Sequence, residues 1–139
     1  MSLRVAINGF GRIGRSVFRV LLGRGGAEVV AVNDLGEAPL LAHLLRHDSI
    51  YGTLDAEVSA AEGFLHVGSR LIEVFREPDP ARLPWKKLAV DLVVDATGAH
   101  TCNGEARKHL AAGAGRVIVS APCRDADITL VLGVNETRY

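Results

Sequence analysis

The feature that most limits the possible folds is a glycine turn set between an apolar strand and a helix. Val5–Ile7 is a short apolar strand, Asn8-Gly9-Phe10-Gly11-Arg12-Ile13-Gly14 follows it, and Arg15–Leu22 continues as an amphipathic helix. The three glycines of such a turn have different tasks. Gly9 permits the sharp change of direction, Gly11 lets a pyrophosphate approach the backbone, and Gly14 lets helix and strand pack closely. The unpaired N–H groups at the start of the helix face the phosphates, where the helix dipole favours negative charge.

A glycine pattern alone is a weak signal, but here its surroundings fit. A second apolar strand, Glu28–Val32, ends in Asn33-Asp34, and Asp34 lies 20 residues past Gly14. At that offset a carboxylate reaches the adenosine ribose of a dinucleotide. The competing reading is a strand–turn–helix without ligand, in which Asp34 only caps its own loop. A carboxylate that accepts from ribose hydroxyls repels a 2′-phosphate, so the pattern favours NAD over NADP. Arg12 sits inside the turn and therefore points to the pyrophosphate rather than the 2′ position.

At 139 residues the chain has room for one domain with a proper core. Sixteen basic and sixteen acidic side chains balance to zero net charge without a basic stripe, which argues against nucleic acid or an anionic membrane as partner. No apolar run approaches the ~20 residues that span a bilayer. The first residues lack the order of a signal peptide, so a cytoplasmic location is expected. Cys102 and Cys123 match no metal or redox spacing and are expected to be free thiols. His43 and His47 share a helix face, but no third ligand is spaced for a metal, and His100 and His109 have no obvious partner.

The remaining chain alternates between strand and helix, with one interruption. Ala38–Leu45 reads as a helix with Pro39 in its first turn, and His47–Gly52 as a loop. Glu57–Ala61, Phe64–Val67 and Leu71–Phe75 read as an antiparallel meander joined at Glu62-Gly63 and Gly68-Ser69. After three prolines (78, 80 and 84), Trp85–Leu88 reads as a short helix or turn. Leu92–Ala96 is a strand with Asp95 inside it, Gly104–Ala112 a helix stopped by Gly113 and Gly115, and Val117–Val119 and Ile128–Gly133 two more strands. Continuous apolar runs suit parallel strands covered on both faces. The expected fold is thus α/β, a Rossmann-type, doubly wound, mainly parallel sheet with a small antiparallel meander inserted. Ligands of such a sheet bind beyond the carboxyl ends of its strands, where Thr97-Gly98 and Ser120-Ala121-Pro122 stand. The plainer reading of both is an ordinary turn.

Together these residues resemble the glyceraldehyde-3-phosphate dehydrogenase family. The resemblance rests on Ala6-Ile7-Asn8-Gly9-Phe10-Gly11-Arg12-Ile13-Gly14-Arg15, Val32-Asn33-Asp34, His47-Asp48-Ser49, Asp95-Ala96-Thr97-Gly98, Ser120-Ala121-Pro122 and Gly133-Val134-Asn135, in family order along practically the whole chain. The erythrose-4-phosphate dehydrogenases share much of this pattern. The resemblance implies that residues 1–139 form an NAD-binding domain. Its contacts would come from Arg12 and Ile13 at the pyrophosphate, Asp34 at the adenosine ribose, position 78 near the adenine, Thr97 and Gly98 along the cofactor, and Ser120 near the nicotinamide half, with Gly9, Phe10, Gly11, Asn33 and Ala121 as further cofactor-binding positions. Family members often carry arginine where this chain has Pro78, so stacking of a guanidinium on adenine is lost from that position.

The resemblance also says what this stretch does not hold. Family members continue past Gly-Val-Asn into Ser-Cys-Thr-Thr-Asn, whose cysteine is the nucleophile, and then into a domain with the histidine base. Residues 1–139 contain neither, and the settings of Cys102 and Cys123 do not match the nucleophile motif. No catalytic residue and no metal ligand is therefore assigned here. The implied function is NAD binding for a phosphorylating aldehyde dehydrogenase, a homotetramer in the family. The alternatives are a stand-alone nucleotide-binding or protein-interaction module without dehydrogenase activity, and a fragment that complements a separate catalytic domain. Apolar surface left uncovered favours a dimer or higher oligomer.

Overall fold

The computed structural model describes residues 1–99 and 104–139. His100 and Cys102 lie outside the described residues. The elements are β1 (Leu3–Asn8), α1 (Arg12–Gly23), β2 (Ala27–Asn33), α2 (Ala38–Arg46), β3 (His47–Asp48), β4 (Gly52–Thr53), β5 (Val58–Ala61), β6 (Phe64–Val67), β7 (Arg70–Phe75), β8 (Leu92–Asp95), α3 (Lys108–Ala111) and β9 (Arg116–Val119). Short 3-10 turns occupy Pro80–Arg82 and Glu136–Arg138.

Among the described residues, seven strands form one sheet in the order β5-β6-β7-β2-β1-β8-β9, and β3 and β4 form a separate ribbon. From β7 to β9 every neighbouring pair is parallel. These five strands follow the Rossmann order, with the reversal falling between β1 and β8. A crevice therefore opens beyond Asn8 and Asp95, which face each other in register at the carboxyl ends of the two strands.

The meander is less separate than its sequence suggests. Its last strand, β7, pairs in parallel with β2, so β5 and β6 extend the main sheet by antiparallel pairing. The Glu62-Gly63 turn has φ of 53° and 80°, the paired left-handed conformation that matches the twist of a two-residue hairpin. The stretch read as a loop at His47–Gly52 instead holds β3 and the start of β4, which pair as a ribbon. Asp48 Oδ1 closes it by accepting from the N–H groups of Ile50 (2.7 Å) and Tyr51 (2.8 Å). Those bonds, Tyr51's first, hold the Asp48 carboxyl below its usual range.

Both faces of the sheet carry apolar layers. Ile7, Val32, Leu65 and Ile72 pack under α1 and α2, where Phe18 meets Phe10 edge-on at 5.7 Å between centroids. On the other face Ala6, Ala31 and Val93 pack against Leu83, Trp85 and Val90 from the turn-rich segment before β8. Residues 85–88 are a turn, closed by Leu88 N–H donating to the Pro84 carbonyl at 3.1 Å.

Two expected elements differ. Ile128–Gly133 is not a strand. Asn135 bends the segment instead, its Oδ1 accepting from Val131 N–H at 2.7 Å and its Nδ2 donating to Thr129 O at 2.9 Å. An apolar run becomes a strand only with a ladder partner, and here a side chain satisfies its backbone first. The helix expected over Gly104–Ala112 shrinks to α3. Its first residues make i to i+3 bonds (Arg107 N–H to Gly104 O, Lys108 N–H to Glu105 O, His109 N–H to Ala106 O), a tighter winding than α.

Candidate cofactor site

The glycine turn lies in the crevice, and each glycine has its own physical reason. Gly9 has φ of 87°, and a Cβ there would stand 2.7 Å from Thr97 N and 2.8 Å from Thr97 Cα. The turn after β1 is thus pressed against the turn after β8. A Cβ on Gly14 would collide with the carbonyl oxygen of Gly9 and touch Ile7 Cγ2, so α1 can approach β1 only through glycine.

Gly11 differs from both. Its φ of −76° suits any residue, and a Cβ there meets nothing within 4 Å. No protein atom among the described residues demands glycine at this position. Gly11 is also the N-cap of α1, with no side chain capping the free N–H groups of the first turn. Arg12 and Ile13 follow on the exposed side. Open space over a glycine, bordered by unpaired N–H groups at the end of a 12-residue helix, is what an approaching pyrophosphate requires. The residues present therefore fit a dinucleotide.

Asp34 is fixed rather than free to swing. Oδ2 accepts from Phe10 N–H at 2.8 Å and Oδ1 from Gly36 N–H at 2.8 Å. A carboxylate has about four acceptor sites, so two remain for ribose hydroxyls. Phe10 and Asn33 are buried beside it. The Phe10 ring is 1% exposed, its N–H goes to Asp34, and its carbonyl accepts from Arg15 Nη1 at 3.0 Å. Asn33 is buried, donating to Asn8 Oδ1 (2.7 Å) and Glu77 O (2.9 Å) and accepting from Glu77 N–H (2.9 Å).

Pro78 is exposed on the segment that Asn33 anchors through Glu77. Two guanidinium groups stand near Pro78: Arg76, whose Nε donates to Leu35 O at 3.1 Å, one residue past Asp34, and Arg82, paired with Glu77 at 3.7 Å. At the other side of β1, Thr97 is half-buried and Gly98 exposed, and Ser120 N–H donates to Asp95 O at 3.0 Å, which sets Ser120 and Ala121 beside them.

Behind the crevice runs a chain of buried polar groups that sequence reading missed. Trp85 Nε1 donates to His109 Nδ1 at 2.9 Å, and His109 Nε2 lies 3.1 Å from Asp95 Oδ2. Asn8 Nδ2 lies 3.3 Å from the same oxygen and 3.2 Å from Nε2. Asp95 Oδ1 accepts from Thr97 Oγ1 (2.7 Å) and Thr97 N–H (3.1 Å). Burial alone would raise the Asp95 carboxyl, but the donors His109, Thr97 and Asn8 outweigh it and hold it below its ordinary value. His109, without an obvious partner in the sequence, is thus completely paired. The available signal was Asp95 itself, a charge inside a continuous apolar strand, which must find donors.

Among the described residues, no group of three or more His, Cys, Asp and Glu side chains is placed to hold a metal ion. The His43 and His47 rings stand 4.8 Å apart at the end of α2. Cys123 Sγ donates to Asp125 Oδ1 at 2.9 Å. Among the described residues, no helix is long and apolar enough to cross a membrane.

Residues 3–103 match the family described as glyceraldehyde 3-phosphate dehydrogenase, NAD binding domain. The chain belongs to this family. As an NAD-binding domain of the glyceraldehyde-3-phosphate dehydrogenases, it is also similar along its whole length to individual members. It is 55% identical over 139 residues to glyceraldehyde-3-phosphate dehydrogenase 1 of Bacillus subtilis (strain 168) and 53% identical over 139 residues to glyceraldehyde-3-phosphate dehydrogenase of Geobacillus stearothermophilus. With glyceraldehyde-3-phosphate dehydrogenase of Streptomyces coelicolor (strain ATCC BAA-471 / A3(2) / M145) the identity is 51% over 140 residues. Each alignment covers 100% of this chain and 42% of the relative, so the chain spans less than half the length of these proteins.

Proposed function

We propose that residues 1–139 seat NAD across the β1–β8 crevice, as the cofactor half of a phosphorylating dehydrogenase acting on glyceraldehyde 3-phosphate or a closely similar aldehyde phosphate. The observation that carries this reading is Gly11 at the start of α1, where open space lies beside N–H groups that no side chain caps. The pyrophosphate lies on the Gly9–Ile13 backbone at the start of α1, with Arg12 beside it. The adenosine ribose hydroxyls donate to Asp34. The adenine lies near Pro78, where Arg76 and Arg82 carry the neighbouring guanidinium groups, and Thr97 and Gly98 guide the chain of the cofactor towards Ser120 and Ala121 at the nicotinamide half.

When bound, NAD supplies the hydride acceptor. The residues named here bind and orient it, and none acts as nucleophile or base. By themselves residues 1–139 bind NAD without turning over an aldehyde. In the whole protein the aldehyde chemistry belongs to a further domain, and the assembly is a cytoplasmic homotetramer. The isolated domain self-associates through the exposed apolar residues Ile118, Leu132 and Val134.

Calorimetric titration with NAD, with NADP alongside, tests the reading. Saturable binding of NAD with little response to NADP is the expected result. Failure to bind either would overturn it and favour a protein-interaction module. A concentration-independent monomer mass in sedimentation would refute the self-association.

A further inference from the structure

The polar chain behind the crevice is costly, because a buried carboxylate and imidazole contribute nothing unless every partner is in place. Here each atom has a partner, and donor logic fixes the roles. An indole N–H only donates, so His109 Nδ1 must accept from Trp85, and the ring carries its proton on Nε2. That N–H then donates to Asp95 Oδ2. Trp85, His109 and Asp95 are all 0% exposed, and Asn8 is 2% exposed.

The two oxygens of Asp95 face different ways. Oδ2 takes the internal donors, His109 and Asn8. Oδ1 takes the Thr97 hydroxyl and N–H, and Thr97 Oγ1 in turn accepts from Ala99 N–H at 3.2 Å. The shape of the turn that faces Gly9 is therefore set by a carboxylate whose own orientation is set from inside the protein.

We propose that His109 is a positioning residue for cofactor binding. Held by Trp85 on one nitrogen, it aims Asp95 with the other, and so keeps the Thr97–Gly98 turn preformed for a dinucleotide. His109 touches no cofactor atom. The proposal rests on the reading that this turn lines the NAD site. Preorganisation lowers the ordering cost of binding, so losing it appears as weaker affinity in molecules that remain folded.

The test uses His109→Leu, which keeps apolar bulk and removes both polar atoms, and His109→Gln, whose amide can still donate towards Asp95. NAD affinity is read by calorimetry and corrected for the folded fraction. Trp85, the single tryptophan of the chain, supplies a second signal through its emission on NAD addition. We expect His109→Leu to weaken NAD binding on the order of tenfold, as for loss of a hydrogen bond to a charged group. The change in Trp85 emission on NAD addition should move to correspondingly higher NAD concentration. His109→Gln should restore most of both. Equal NAD affinity in His109→Leu and the parent chain overturns the proposal, as does a Gln variant no better than Leu. If His109→Leu does not fold, Trp85→Phe decides, since it removes the indole donor and keeps a ring in the core. Weaker affinity at undiminished folded fraction then supports the proposal, and unchanged affinity overturns it. Failure of the parent chain to bind NAD would instead refute the underlying assignment of the site.

Discussion

Replacing Gly11 with alanine distinguishes space that belongs to the protein from space that belongs to a ligand. The backbone there is in an ordinary region, with φ of −76°, and the added methyl meets no atom within 4 Å. Two small effects on stability oppose each other. Alanine is a poorer N-cap than glycine by up to about 1 kcal/mol, while reduced freedom of the unfolded chain returns about 0.4–1 kcal/mol. Global stability in denaturant should therefore change by less than about 0.5 kcal/mol. Binding should respond quite differently. In the proposed complex a phosphate oxygen bonded to the N–H groups of the turn would occupy the volume into which the methyl projects. Forcing the methyl into that contact costs about 1–3 kcal/mol, a rise in Kd of about 5- to 150-fold. Urea unfolding and calorimetric titration of the same preparation give both numbers. An alanine variant that binds NAD as tightly as the parent chain would refute the argument, because the space over Gly11 would then not be the ligand's.

Gly14→Ala should fail in the opposite manner, losing stability by about 1–3 kcal/mol because its methyl meets the Gly9 carbonyl; a melting curve matching the parent chain's would contradict this. Asp34→Asn should lower NAD affinity and narrow the preference over NADP, since its amide presents a donor to either Phe10 N–H or Gly36 N–H; paired titrations check it. Arg19 Nη2 donates to the carbonyls of Leu45 (2.7 Å), Arg46 (3.2 Å) and Gly52 (3.0 Å), closing the end of α2. Arg19→Ala should cost about 1.5–3 kcal/mol in denaturant unfolding, and lysine, without the planar fork, should not restore it fully. Asp95 has a folded pKa below its unfolded value of about 3.9. Its contribution to stability is therefore complete above that value and fades as pH falls through the lower folded pKa. The stability gap between the parent chain and Asp95→Asn should shrink on acidification below about pH 4; a gap that widens would reverse the sign of the argument.

The glycine turn, the strand order's parallel core and the position of Asp34 were readable because each is encoded within about 30 residues, in local period and spacing. Ile128–Gly133 has the composition of a strand, but strand formation depends on a partner that composition does not name. Asn135, two residues past that run, captures the segment's backbone instead. Phe10 and Asn33 stand at motif positions, yet the motif does not say which neighbours face inwards; burial sends one ring to the core and one amide to Glu77. The Trp85–His109 and Asp95–His109 contacts join residues 24 and 14 apart without any periodic signal. Their one trace in the sequence is the charged residue inside an apolar strand.

The site as a whole has two layers with different chemistry. The layer facing the crevice is largely main chain: glycine turns, the first N–H groups of α1 and the turn at Thr97-Gly98. Such a surface lets a dinucleotide come close, but glycine-rich backbone cannot hold its own shape, since glycine adds conformational freedom rather than removing it. Its geometry must be fixed from behind. Asp34 does so for the turn after β1 by bonding Phe10 N–H, and Asp95 does so for the turn after β8 by bonding Thr97. Asp34 follows the carboxyl end of β2 and Asp95 ends β8, where the chain leaves the parallel sheet in turns whose N–H groups have no ladder partner. Packing apolar residues there would leave those N–H groups unsatisfied, at about 1–3 kcal/mol each. A carboxylate behind each turn therefore follows from the need to make an accessible backbone rigid, and the His109–Trp85 pair follows in turn from the need to hold the buried one, Asp95, in one orientation.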